Sequence, residues 1–119
     1  MADMRERVQI NLLLDFYGPL LTSRRRELLR LYCEEDLSLA EIADQAQITR
    51  QGVSDAILRA KRQLEDYEAQ LGLAARYSGF MNEAQAGLQI LETMPSTPEN
   101  AEAISRLREI FNTMIQIER

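Results

Sequence analysis

A chain of 119 residues, 45% of them apolar, is long enough for one domain or for a small domain with an appendage. Fourteen Lys and Arg against nineteen Asp and Glu leave a net charge of −5; no run of eighteen apolar residues and no basic-then-apolar leader is present, so a cytoplasmic protein is expected. One cysteine and no histidine exclude a disulfide framework and a zinc site, and deprive Cys33 of the imidazole a thiol nucleophile needs.

The first predicted helix covers residues 5–17, with Val8, Leu12 (or Leu13) and Phe16 facing inward, and Gly18-Pro19 ends it. Leu20, Leu21 and Thr22 lead into a second helix at about 23–34, capped by Thr22 or Ser23, with Leu28, Leu31 and Tyr32 as its buried stripe. Cys33 lies on the inner side of this helix and reads as a buried structural thiol. Arg24, Arg25 and Arg26 occupy the first turn, where the helix dipole favours acids over cations. Two readings follow: a phosphate-contacting cluster, or a solvated face balanced by Glu27 and neighbouring acids.

After the acidic corner Glu34-Glu35-Asp36 comes the stretch from Ser38 to Leu64. Leu39, Ile42, Ala43 and Ala46 recur at spacings of three and four, on one helical face. Ser38 and Glu41 form a capping-box pair, and Thr49 offers a second N-cap oxygen. Val53, Ile57, Ala60 and Leu64 repeat the apolar stripe. Small Ala40 and Ala43 allow a close helix crossing, with Ile48 plugging the turn. This is a helix-turn-helix pattern, whose second helix enters a major groove in proteins that read DNA. That helix is expected to run through Tyr67 towards Leu71, with Gly72 ending or kinking it.

Residues 74–91 then read as an amphipathic helix, with Tyr77, Met81 (beside Phe80), Ala84, Leu88 and Leu91 on its stripe. Met94-Pro-Ser-Thr-Pro98 is a linker in which Thr97 and Pro98 signal a helix start. Ile104, Leu107, Phe111 and Met114 stripe the last helix. No strand pattern or repeat is visible. The expected class is all-α: a helix-turn-helix domain at 1–72 and a helical extension at 73–119 that packs on the domain or pairs with a second copy.

The candidate site is the second helix of the motif. Arg50 and Gln51 stand at its start, where Arg bonds guanine bidentately and Gln does so with adenine. Ser54 shares their exposed face. Thr49, Arg59, Lys61 and Arg62 are candidates to hold phosphates. Asp55 repels phosphate unless it accepts from a cytosine amine or pairs with Arg59 at i+4, the preferred role. Charge argues the other way: residues 1–67 carry ten basic and twelve acidic side chains, and residues 68–119 four and seven. Nucleic-acid affinity must therefore come from local clustering and be steeply salt-dependent. The rival reading is a protein-binding module with a solvated polar face. No acid/base carboxylate pair, metal cluster or glycine-rich phosphate loop suggests an enzyme or a cofactor.

Phe16-Tyr17, Leu20-Leu21-Thr22, Leu31-Tyr32, Asp36-Leu-Ser-Leu, Glu41-Ile42-Ala43, Arg50-Gln51-Gly52-Val53, Asp55, Leu64 and Tyr67-Glu68 together resemble the YlxM family of small bacterial helix-turn-helix proteins. The segment is similar, more loosely, to region 4 of sigma factors. The resemblance implies a sigma-region-4-like or winged-helix-like fold and a regulatory, non-enzymatic role. It also implies a connection to the signal recognition particle pathway, because family members tend to be encoded beside that particle's protein subunit. Taken with the reading of the residues, the expected partners are duplex DNA first, that particle's RNA second, a protein of the particle, and a second copy of the chain. Two departures stand out. Ser54 and Ala56 replace basic residues usual in sigma-type recognition helices, and Gln47 occupies a turn position where glycine is common.

Overall fold

A computed structural model describes residues 4–116. Among these residues every regular element is helical: α1 (Met4–Tyr17), α2 (Ser23–Cys33), α3 (Leu39–Ala46), α4 (Arg50–Leu71), α5 (Leu73–Thr93) and α6 (Ala101–Gln116), with a 3₁₀ turn at Gly18–Leu20. They form two compact units, Met1–Ala74 and Ala75–Arg119. No helix among the described residues is long and apolar enough to cross a membrane.

The first unit is built around α4, which touches α1, α2 and α3. Val53, Ile57, Ala60 and Leu64 return to one side of α4 at every turn, and all four are buried. Burying each of the three larger side chains stabilises the fold by about 1.5–3 kcal/mol, so this single row anchors the other helices. Ile42 and Ala43 of α3 meet it, with Leu28, Leu29 and Cys33 of α2 and Ile10, Leu13, Leu14 and Tyr17 of α1.

Both turns of the motif follow from local chemistry. Ser38 Oγ accepts the Glu41 N–H, and Glu41 Oε1 accepts the Ser38 N–H, each at 3.1 Å. Hydrogen bonding from the Ser38 N–H, and after it from the Ser38 hydroxyl, holds the exposed Glu41 carboxyl below its usual range. Gln47 takes the left-handed conformation, φ 58°, that ends α3, and Thr49 Oγ1 accepts the Gly52 N–H at 2.9 Å to begin α4. Thr22 caps α2 by accepting the Arg25 N–H.

Three inward faces of the first unit differ from expectation. In α1, Leu13, the expected alternative to Leu12, is buried, but Val8 is 63% exposed, Leu12 and Phe16 are half-buried, and Leu14 is buried as well. The run Leu12-Leu13-Leu14 supports more than one phase, and contact with α4 selects among them. In α2, Leu31 and Tyr32 are half-buried and the deep positions are Leu28, Leu29 and Cys33. Ala40 is exposed, and the small surface α3 turns inward is Ala43, with Ala46 half-buried against the core.

Gly72, at φ 63°, ends α4, and α5 begins at the next residue. The start of α5 is held by Tyr17, whose hydroxyl donates to Glu68 Oε1 at 2.6 Å and accepts the Leu73 N–H at 3.1 Å. The same carboxylate oxygen accepts the Ala74 N–H. Two N–H groups that a helix start leaves unpaired are thereby satisfied.

In the second unit, the Cβ absent from Gly87 would lie 2.6 Å from the Phe111 ring, and Arg108 Nε donates to Glu92 Oε1 at 2.8 Å. Positions rise along α5 as they fall along α6, so the pair is antiparallel. Ala84, Leu91 and Ile104 are buried in this unit. Thr97 and Asn100 exchange side-chain to backbone bonds in the turn before α6. The inward row of α6 is Ile104, Arg108, Phe111 and Ile115; Leu107 and Met114, expected inside, are 42% and 39% exposed.

Candidate nucleic-acid interface

Because one side of α4 is fastened to three helices, the opposite side is free. Arg50, Gln51, Asp55, Leu58, Arg59 and Arg62 are exposed there, and Ser54 is half-buried. Charge is divided along the helix. The stretch before Leu64 carries Arg50, Arg59, Lys61 and Arg62 against Asp55, whereas Glu65, Asp66 and Glu68 follow Leu64. Any polyanion that docks on α4 is therefore attracted to the stretch before Leu64 and repelled from the stretch after it.

The start of α2 adds to this surface. Thr22, Arg24 and Arg25 face Gly52, Asp55, Ala56 and Arg59 across a shallow depression. Arg25 is half-buried and donates to Gln63 Oε1 at 3.0 Å, which fixes its stem beside α4. Arg26 points elsewhere, its Nε running close over Gly18. Glu27 does not neutralise these three arginines. It pairs with Arg30, at 2.7 Å, and Arg30 also meets Glu35. The Arg30 hydrogen bonds hold the Glu27 carboxyl below its usual range, and those of Glu27 and Glu35 raise the guanidinium still further. Among the described residues Arg24, Arg26, Arg50, Arg59 and Arg62 have no ion pair. Unpaired cations at the positive end of α2 are unfavourable in the free protein and become favourable when an anion arrives.

Two expected roles are altered. Lys61 is half-buried, paired with Glu6 and placed 5.5 Å from the centre of the Tyr32 ring, so its charge is spent inside the fold. Asp55 does not pair with Arg59; it accepts from Gln51 Nε2 at 3.1 Å. The i,i+4 spacing of Gln51 and Asp55 was the signal for that bond in the sequence. The Arg25–Gln63 bond joins residues 38 positions apart and left no such signal. Cys33 is 4% exposed, and burial pushes its thiol up, which suits a structural role. No group of three potential metal ligands occurs among the described residues.

Comparison with known proteins agrees with this architecture. A family pattern described as "Putative helix-turn-helix protein, YlxM / p13 like" matches residues 4–110. A UPF0122 protein of Symbiobacterium thermophilum is 40% identical over 107 residues, 90% of this chain and 94% of the relative. One from Clostridium novyi is 32% identical over 113 residues, covering 95% and 98%. One from Desulforamulus reducens is 51% identical over 75 residues, covering 63% of this chain and 64% of that protein. With six helices and no strand among the described residues, and with a match over nearly its whole length, the chain belongs to the UPF0122 family of YlxM / p13-like helix-turn-helix proteins.

Proposed function

We propose that the protein is a non-enzymatic, cytoplasmic DNA-binding regulator that docks residues 50–62 of α4 in a major groove. Residues 1–72 act as the binding domain, and 73–119 as the element that joins two copies. Arg50, Gln51 and Ser54 face the bases. Thr49, Arg24, Arg59 and Arg62 hold phosphates, with Arg25 and Arg26 at the margin and Lys61 kept back as a structural residue. No cofactor is required. The observation that carries this reading is the set of unpaired arginines on α4 and the start of α2, in a chain whose net charge is −5. Stability gives no reason to leave them unpaired beside so many acids; a phosphate backbone does.

The test is titration of duplex DNA and of structured RNA at several salt concentrations. Affinity for duplex should be modest and fall steeply with salt. Arg24→Ala and Arg59→Ala should each lower the slope of log K against log salt by about one. Unchanged affinity and slope in both variants would refute the docking surface.

A second reading has its own support in the net acidity and in the apolar side chains Phe80, Ile90, Leu107 and Ile110 left exposed on the second unit. In it the chain is an adaptor of the signal recognition particle pathway, the context implied by the family resemblance, and contacts that particle's protein or RNA. Capture of the particle by a variant carrying Arg50→Ala and Gln51→Ala would favour this reading over the first.

A further inference from the structure

The side chain of Gln51 is held in place. Its Nε2 donates to Asp55 Oδ1, one helical turn onward and on the same exposed face. An ionised carboxylate only accepts, so this bond fixes which end of the Gln51 amide is nitrogen. An amide nitrogen carries two hydrogens, and Asp55 uses one. With Asp55 on the hydrogen trans to Oε1, the cis hydrogen and Oε1 are left for a ligand, a donor beside an acceptor. That pair is what the major-groove edge of adenine requires, where N7 accepts and the N6 amine donates.

We propose that Asp55 is a positioning residue, which presents the Gln51 amide to the adenine of an A·T pair in duplex DNA. The inference rests on the reading of α4 as the docking helix. It accounts for a carboxylate in the middle of a surface otherwise supplied with arginines. Asp55 weakens attraction to phosphate, and in exchange removes rotational freedom from the residue that reads the base. Arg24 and Arg59, which border the same depression as Asp55, offset its charge without bonding to it.

The experiment uses the full chain and a library of random duplexes, with the sequence preference of each variant read by sequencing the bound fraction. The wild type should prefer an A·T pair at one position by roughly tenfold, and Gln51→Ala should lose that preference. Asp55→Ala should bind all duplexes more tightly, because a negative charge is gone, yet lose the same preference. Asp55→Asn should also bind more tightly but keep it, since its side-chain oxygen still accepts from Gln51. The double variant of Gln51→Ala and Asp55→Ala should be no less selective than either single one. If Asp55→Ala retains the full preference, the carboxylate merely repels phosphate and the proposal is wrong. Duplex bound by the wild type with no enriched base would also overturn it, while leaving the docking reading intact. Failure of the wild type to bind duplex at all would remove that reading, and this proposal with it.

Discussion

Tyr17 joins three separate parts of the chain through one oxygen atom. It is 1% exposed, its hydroxyl donates to Glu68, and the backbone of Leu73 donates to it. Removing the oxygen by Tyr17→Phe leaves the Glu68 carboxylate and the Leu73 N–H without that partner, at a cost of about 1–3 kcal/mol in urea denaturation. Burial, then the bond to Glu68, hold the phenol above its ordinary pKa of 10.0. The unfolded chain thus releases this proton before the folded one does. The stabilisation is complete below pH 10 and is lost as pH rises from there through the folded pKa. The difference in urea midpoint between wild type and Tyr17→Phe should accordingly shrink above pH 10. A constant difference would mean that the hydroxyl proton is not involved. Gln47 offers the opposite kind of change. A left-handed φ of 58° strains a residue with a side chain, and the bond from Gln47 Nε2 to the Asp44 carbonyl only partly compensates. Gln47→Gly should raise stability by about 0.5–1 kcal/mol, seen as a higher denaturation midpoint with an unchanged slope.

Among the elements, α4 and the α5–α6 pair illustrate two ways of building a contact. Along α4 the contact is a row of four buried side chains, and polar residues on the other face contrast with it sharply. That contrast made its phase readable without coordinates. In α1 the contrast is weak, because three leucines in succession can be turned either way. Which of them goes inside is decided by Tyr17 reaching Glu68 and Leu73, partners more than fifty positions away. Between α5 and α6 the contact depends on a missing atom. Gly87 lets the Phe111 ring approach to where a Cβ would stand 2.6 Å from it. Replacing a mid-helix glycine by alanine should gain about 1 kcal/mol of helix propensity. Forcing the ring aside costs about 1–3 kcal/mol, so Gly87→Ala should destabilise the second unit in thermal melts. With Phe111→Leu already present the ring is gone, and the same substitution should become neutral or stabilising. Destabilisation in both backgrounds would rule out the ring contact as the cause.

For the whole molecule, charge and exposed apolar area are the properties that bear on partners. A net −5 sets a weak background against polyanions, and the arginines of α2 and α4 act locally, within about one Debye length. On α6, Leu107, Ile110 and Met114 follow one another at helical spacing and are all at least 39% exposed, beside the row that packs on α5. Under the proposed pairing of two copies, this second stripe is the seam. Light scattering should then give about twice the 13.7 kDa of one chain, and Ile110→Glu should halve that mass with helicity preserved. A wild type that scatters as a single chain at high concentration would dismiss the seam.

The sequence by itself determined the helices, their caps and the polar front of α4. Capping pairs such as Ser38–Glu41, and the stripe from Val53 to Leu64, are local: they depend on neighbours within about one turn. Only the tertiary structure decided which way α1 and α2 face, that Lys61 is tied to Glu6 and Tyr32, and that Arg24 and Arg25 stand opposite Arg59. Those outcomes depend on which helices lie side by side, and the spacing of residues along a chain carries no record of distance between its turns.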